Sequence, residues 1–98
     1  MFNLNHAELK AVSKKIRNGD RLEITVDNSP NTGTKDYVGV VEGKKNGRFT
    51  LVGYTNKDFD FNNDENIYVV RKDTGYGITV TLGYHGAVET GKGIVGLY

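Results

Sequence analysis

The 98-residue chain lacks cysteine and tryptophan and contains only one proline, two histidines and two serines. Without cysteine the protein has no disulfides and no thiolate chemistry. This fits a reducing compartment, so the cytoplasm is the expected location. The scarcity of serine and histidine leaves little material for a catalytic nucleophile and its base, and neither serine lies in a G-x-S-x-G motif. The composition therefore favours binding over catalysis.

Long apolar runs and a large net charge are also missing. No run reaches the roughly 18 apolar residues of a membrane helix, and the first ten residues lack the pattern of a signal peptide. The net charge is +1, but residues 1–57 carry ten Lys/Arg against six Asp/Glu, whereas residues 58–98 carry three against six. We expect one soluble domain, residues 1–98, with a charge asymmetry that can steer a charged partner.

The segment 5–18 is the only stretch with a clear helical pattern. Asn5 is a favourable N-cap residue, and Glu8 follows three positions later, as in a capping box. Gly19 comes directly after the segment, as expected of a left-handed C-terminal cap. Apolar residues recur at helical spacing on one face, which we expect to pack on the rest of the domain: Leu9, Val12 and Ile16.

From residue 21 to residue 98 the apolar period changes from about four to two, which indicates β-strands. The strand-like runs are RLEITV (21–26), DYVGVVEG (36–43), RFTLVGYT (48–55), IYVVRK (67–72) and GITVTLGY (77–84), with a further short hairpin in AVETGKGIVGLY (87–98). Asn46-Gly47, between the second and third runs, is the strongest hairpin signal in the chain. DNSPNTGTK (27–35) is predicted to be a loop, because it combines the only proline with Asn, Asp, Ser, Thr and Gly.

These elements predict an α+β fold that is mainly β. The N-terminal helix would pack on a small, strongly bent antiparallel sheet or barrel of five to six strands, SH3-like or OB-like. Glycines inside the strand patterns, at 39, 53, 83 and 96, allow bends and close backbone approach. Small barrels host many unrelated functions, so the fold does not select one.

The segment DFDFNNDE, which begins at Asp58, carries four carboxylates and two phenylalanines in eight positions. In a calcium loop, Asp58, Asp60 and Asn62 would occupy positions 1, 3 and 5. However, Asn63 stands where that loop needs glycine, and Val69 stands where it needs the bidentate glutamate. A weak, irregular cation site formed by Asp58, Asp60 and Asp64 with backbone carbonyls is the alternative. We expect no metal and no other cofactor.

The alternation in the same segment favours a different structure. In an extended chain, two rings would point inward while the neighbouring acids face water at a strand edge. A fixed row of carboxylates can imitate phosphates and fill a basic groove on another protein; the alternative is a solvated acidic turn. The predicted partner-binding residues are Asp58, Phe59, Asp60, Phe61, Asp64 and Glu65.

A basic surface is the alternative site. The helix segment carries several cations, and GRFTLVGY (47–54) resembles the first RNA-contact strand of RNA-recognition-motif domains, although Thr50 and Val52 depart from its order. Aromatic rings beside Lys and Arg hold single-stranded nucleic acid by stacking and phosphate neutralisation. The residues predicted for this alternative are Lys10, Lys14, Arg17, Arg48, Phe49 and Tyr54.

Three short motifs touch on catalysis. TGKGIVG (90–96) has glycines and a lysine but lacks the spacing of a phosphate loop and opens no helix, so a hairpin turn is expected. Asp73-Thr74-Gly75 matches the aspartic-protease triplet but equally fits a hairpin turn. His85, in GYHGA, is the remaining candidate general base. The protein is expected not to be an enzyme.

Together these patterns predict a non-catalytic protein-binding module, an inhibitor or adaptor whose acidic segment engages a partner with a basic surface. Proteins that handle nucleic acid are one candidate class of partner. A small barrel that binds single-stranded nucleic acid is the alternative, and no membrane partner is expected. The apolar end GIVGLY (93–98) also makes a homodimer a candidate assembly, by pairing at a sheet edge.

Overall fold

The computed structural model describes residues 3–27, 33–63 and 66–84, and the backbone of two short strands at 87–89 and 94–96. One helix and eight strands are found in this part of the chain. They are α1 (His6–Ser13), β1 (Arg21–Asp27), β2 (Thr34–Lys45), β3 (Arg48–Gly53), β4 (Lys57–Asp60), β5 (Ile67–Asp73), β6 (Thr79–Tyr84), β7 (Ala87–Glu89) and β8 (Ile94–Gly96). The prediction of a mainly β fold with one N-terminal helix is confirmed.

The strands form a single antiparallel sheet in the order β4-β3-β2-β1-β5-β6-β7-β8. Its two outermost strands, β4 and β8, each have one neighbour within the described part of the chain, so the sheet is not closed into a barrel. The Cα radius of gyration is 12.5 Å, close to the roughly 13 Å of a compact domain of about 100 residues.

Helix α1 begins as predicted. The Asn5 side chain accepts a hydrogen bond from the Glu8 backbone N–H at 2.8 Å, and the Glu8 carboxylate accepts one from the Asn5 N–H at 2.8 Å. This reciprocal pair is a capping box, which satisfies two donors that the first helical turn leaves open.

The predicted end of the helix at Asn18 is wrong, because α1 ends at Ser13. The next residues tighten into i→i+3 hydrogen bonds, such as Lys15 N–H to Val12 O at 2.9 Å. The Lys44 ammonium then donates to two carbonyls at this end, Ser13 O at 2.7 Å and Ile16 O at 3.1 Å. A side chain from β2 therefore helps to end the helix, and Gly19 lies in a later turn.

The hairpin between β2 and β3 confirms the prediction from Asn46-Gly47. Both turn residues have positive φ, 51° and 79°, as a type I′ turn requires. At the other end of the pair, Gly39 lies opposite Gly53. A Cβ atom on Gly39 would lie 2.5 Å from the carbonyl oxygen of Val52. The two backbones can approach this closely only because both positions are glycine.

The core lies between the sheet and α1. Leu9 and Val12 of α1 and Ile16, which follows the helix, are buried, as their spacing predicts. They share one cluster with apolar side chains from β1 to β6: Leu22, Ile24, Val26, Val41, Phe49, Leu51, Phe59, Ile67, Val70 and Leu82. The helix also lies against β6 and β7.

Two predicted segments lie partly outside the described residues. Within the predicted loop 27–35, β1 extends to Asp27 and β2 begins at Thr34, and residues 28–32 lie outside the described residues. The predicted terminal hairpin is present as β7 paired with β8.

Candidate functional site

Four aromatic rings fasten β4 to the core. Phe59 and Phe61 are 2% and 1% exposed, which confirms that both rings point inward. Phe49, on β3, stacks on Phe59 with ring centroids 5.6 Å apart and meets Phe61 edge-on at 5.3 Å. Tyr37, on β2, contacts Phe59 edge-on at 5.9 Å. Aromatic pairs of this kind stabilise by roughly 0.5–1.5 kcal/mol each beyond their area burial, so β4 is held rigidly.

The acidic side chains of β4 point to the opposite face of the sheet, which we call the outer face. Asp58 is exposed and accepts a hydrogen bond at 2.6 Å from the hydroxyl of Thr50, its partner on β3. Because a carboxylate has several acceptor sites, this bond orients Asp58 without using all of them.

Asp60 is engaged within the protein. Its carboxylate accepts hydrogen bonds from Arg48 Nε at 3.2 Å, from the Asn62 backbone N–H at 3.0 Å and from Asn63 Nδ2 at 2.8 Å. These bonds build the turn that follows β4, and the exposed Arg48 guanidinium partly offsets the charge of Asp60. The acidic set of the sequence prediction is therefore smaller on this face than expected, and Asp64 and Glu65 lie outside the described residues.

Glu42 is a carboxylate near this site that the sequence prediction missed. The strand register places Glu42 opposite Thr50 and Thr50 opposite Asp58, so the three form a row across β2, β3 and β4. Glu42 is exposed. The Asn46-Gly47 turn alone would place Glu42 opposite Leu51, and the register shift between Glu42 and Lys45 moves it opposite Thr50. Nothing in the sequence predicts this shift or the pairing of β4 with β3.

The backbone of β4 has one open side. Phe61 N–H donates to Gly47 O at 2.9 Å, which fixes the phase of the β3–β4 ladder. Residues alternate in an antiparallel ladder, so Phe59 and Lys57 also direct their backbone groups toward β3, while Asp58 and Asp60 direct theirs away from it. Asp60 O accepts from Asn63 N–H at 3.2 Å. Asp58 is therefore the central residue of what we call the β4 edge, the side of Lys57–Asp60 that faces away from β3.

Part of the predicted basic set gathers near the tip of the β2–β3 hairpin. Lys10 and Lys14 line a hollow beside Lys44, Asn46 and Asn62. The same two asparagines line a second hollow with Lys45 and Arg48. Lys44 and Lys45 are cations that the sequence prediction did not include.

Burial lowers the pKa of the Lys44 ammonium from its ordinary value, because desolvation disfavours the charged form. Lys10 and Lys14, beside the same hollow, are exposed. Lys44 serves the end of α1, whereas Lys10 and Lys14 are accessible to a ligand.

The remaining residues of the basic prediction lie apart. Phe49 is 4% exposed and stacks inside the core, so a nucleobase cannot reach its ring. Tyr54 is fully exposed, but it follows the end of β3 that lies away from the hairpin tip. Arg17 is exposed in the turn after α1, where its backbone N–H donates to Asp20 Oδ2 at 2.9 Å. The expected pairing of aromatic rings with cations on one strand is therefore wrong for Phe49.

The described residues contain no group of three or more His, Cys, Asp or Glu side chains that could hold a metal ion. Asp73-Thr74-Gly75 forms a turn, in which Gly75 N–H donates to Asp73 Oδ1 at 2.8 Å and Thr74 N–H to Ile78 O at 3.0 Å. His85 and residues 90–93 of the glycine-rich motif lie outside the described residues. Helix α1, the one helix among the described residues, is neither long enough nor apolar enough to cross a bilayer.

No family model, no curated protein and no solved structure matches this chain. Its function has to be inferred from its own side chains and strands.

Proposed function

We propose that this protein is a non-catalytic binding module, an inhibitor or adaptor in the cytoplasm, that engages a basic surface of another protein through the β4 edge. The observation that carries this proposal is the burial of Phe59 and Phe61, which fixes an acidic strand at the border of the sheet. A preordered surface avoids the entropy cost of ordering a loop during binding.

Asp58 and Glu42 supply the charge on this surface, and the strand register fixes their relative positions. Carboxylates held in place form strong hydrogen bonds with Arg and Lys, and their field accelerates the approach of a basic partner. Asp60 has a supporting role, because its bonds to Arg48 and Asn62 shape the end of β4. Asp64 and Glu65, which lie outside the described residues, stay in the predicted contact set.

Affinity capture from the native cell tests this function. The wild-type protein should retain one or a few basic proteins, and replacing Asp58, Asp60, Asp64 and Glu65 together by Asn or Gln should lower their recovery at least tenfold. Asp36→Asn is the matched control, because Asp36 accepts a Thr25 hydroxyl at 2.7 Å much as Asp58 accepts that of Thr50. Equal recovery by the fourfold variant would refute the proposal.

The gathering of Lys10, Lys14 and Arg48 near the hairpin tip favours a second candidate function, the binding of single-stranded nucleic acid. In this alternative the bent sheet is a variant of the SH3-like or OB-like architecture, and the cations contact phosphates while Tyr54 is the only predicted ring available for stacking.

Fluorescence anisotropy with a labelled 12-nucleotide single strand tests the second candidate. Replacing Lys10, Lys14 and Arg48 by Gln should weaken binding and reduce its salt dependence, because fewer counterions are released. Lys35→Gln, a change to an exposed lysine on the far half of β2, should have no effect. Absence of binding at low salt would dispose of this candidate.

A further inference from the structure

The β4 edge offers backbone hydrogen-bonding groups as well as charge. The ladder phase set by Phe61 N–H and Gly47 O directs the N–H and C=O of Asp58 away from β3. Within the described residues, β4 has no neighbour on that side. An unpaired strand edge is a template on which another extended chain can form a ladder.

Charge decides which chain fits this edge. If β4 paired antiparallel with β4 of a second copy, the Asp58 and Asp60 side chains of the two copies would lie on neighbouring positions of one face. Like charges opposite each other are destabilising, so self-pairing is disfavoured. A strand that carries Lys or Arg on that face would instead complement Asp58, the carboxylate beside the open side of β4.

We infer that an extended segment of the partner, with Lys or Arg at every second residue, adds to β4 as an antiparallel strand. This inference rests on the proposed function and specifies how the basic partner is held. An antiparallel addition continues the pairing of the whole sheet. It places the residue opposite Asp58 in a hydrogen-bonded pair with its side chain on the outer face. The basic residues of the partner are therefore also the residues whose N–H groups point to β4.

A synthetic hexapeptide, Thr-Lys-Val-Lys-Thr-Lys, is the probe that tests this geometry. Titrated into the ¹⁵N-labelled protein up to about 1 mM, it should shift the amide resonances of β4 and slow hydrogen exchange of the Asp58 amide at least tenfold. The Phe59 and Phe61 amides, which already face β3, should change little. Absence of any β4 response overturns the inference.

Methylation of the peptide backbone separates hydrogen bonding from charge. Methylating the N–H groups of the lysines keeps every charge but removes the donors that face β4, and should abolish binding. Methylating the threonine and valine N–H groups instead should leave the affinity within about twofold. If both methylated peptides bind alike, strand addition is wrong.

A pair of protein variants separates backbone hydrogen bonding from charge by changing the protein instead of the peptide. Asp58→Asn removes the charge and should weaken peptide binding several-fold. Asp58→Pro also removes the N–H on the open side, where proline costs no ladder bond, and should weaken binding at least tenfold more. Protection of the Phe61 amide checks that β4 remains paired, and the methylated peptides decide the matter if the proline variant does not fold.

The outcomes separate the two proposals. Binding that depends on Asp58 charge but not on either backbone change supports the proposed function and overturns strand addition. Peptide binding that survives Asp58→Asn unchanged but fails with methylated lysines supports strand addition and contradicts the acidic basis of the proposed function. Concentration-dependent self-association of the free protein that Asp58→Pro abolishes would show that a second copy occupies the edge, and would overturn the inference.

Discussion

Phe61 carries much of the attachment of β4. It is the largest fully buried side chain of the described residues and meets Phe49 edge-on at 5.3 Å. We expect Phe61→Ala to lower the free energy of unfolding by about 3–5 kcal/mol, the usual cost of removing a buried ring. Urea unfolding followed by circular dichroism measures this change. Tyr54→Ala, at a fully exposed ring, should stay within about 0.5 kcal/mol, and a similar loss in both variants would contradict the anchoring role of Phe61.

We expect Lys44 to make the free energy of unfolding depend on pH. Burial lowers its pKa in the folded protein, while the unfolded chain keeps a value near 10.5. Between these two values the unfolded state binds more protons, so this residue makes the free energy of unfolding rise as pH rises. Below the lowered pKa, the folded state carries the full desolvation penalty.

Urea unfolding between pH 7 and pH 10.5 tests this effect. Lys44→Met should lose the rise, so the stability difference between wild type and variant should shift in favour of the wild type as pH increases. Lys45→Met, at the exposed neighbour, is the control substitution. A difference between wild type and Lys44→Met that is constant with pH would show that Lys44 has no altered affinity for its proton.

At the scale of elements, the contact between β2 and β3 depends on two glycines. A Cβ atom on Gly39 would lie 2.5 Å from Val52 O and would force the two backbones apart. We expect Gly39→Ala to cost about 1–3 kcal/mol, in the range of overpacked sites, and thermal unfolding would measure it. Val38→Ala, next to it on an exposed position, is the control. A Gly39→Ala protein as stable as the wild type would mean that the strands can separate here freely.

The elements also show what the sequence could predict. Local signals worked where the deciding contacts are local: the capping box at Asn5 and the Asn46-Gly47 turn depend on residues within three positions of each other. The predicted end of the helix was wrong because Lys44, a distant residue on β2, donates hydrogen bonds to the carbonyls of Ser13 and Ile16. Apolar periodicity cannot register such a contact.

The sequence predicted the local features of the candidate site but not the contacts between its strands. Alternation correctly oriented Phe59 and Phe61, because a strand places successive side chains on opposite faces. The engagement of Asp60 by Arg48 and the row that joins Glu42 to Asp58 depend on the order of strands in the sheet. The sequence alone does not contain that order.

For the whole molecule, the fold interleaves charges that the sequence separates. The first 57 residues are basic in sum and the rest acidic, yet ion pairs join the two parts in both directions. Arg48 pairs with Asp60, Arg71 with Glu23 at 2.9 Å, and Lys72 with Asp20 at 3.3 Å. Among the described residues, these three pairs bring charges from the two parts of the sequence together. The β4 edge is therefore considered as a local feature and not as part of an acidic half of the molecule.

This distribution of charges predicts that salt weakens peptide binding but changes the free energy of unfolding little. Exposed ion pairs contribute about 0–1 kcal/mol each, and the core is apolar. Raising NaCl from about 0.05 to 0.5 M should therefore change the free energy of unfolding by less than about 1 kcal/mol, while it weakens binding of the lysine hexapeptide several-fold as the Debye length shortens. Urea unfolding and peptide titration at each salt concentration measure both quantities. Peptide affinity that is independent of salt would mean that the β4 edge does not recognise charge, because screening must act on any contact between Asp58 and a lysine.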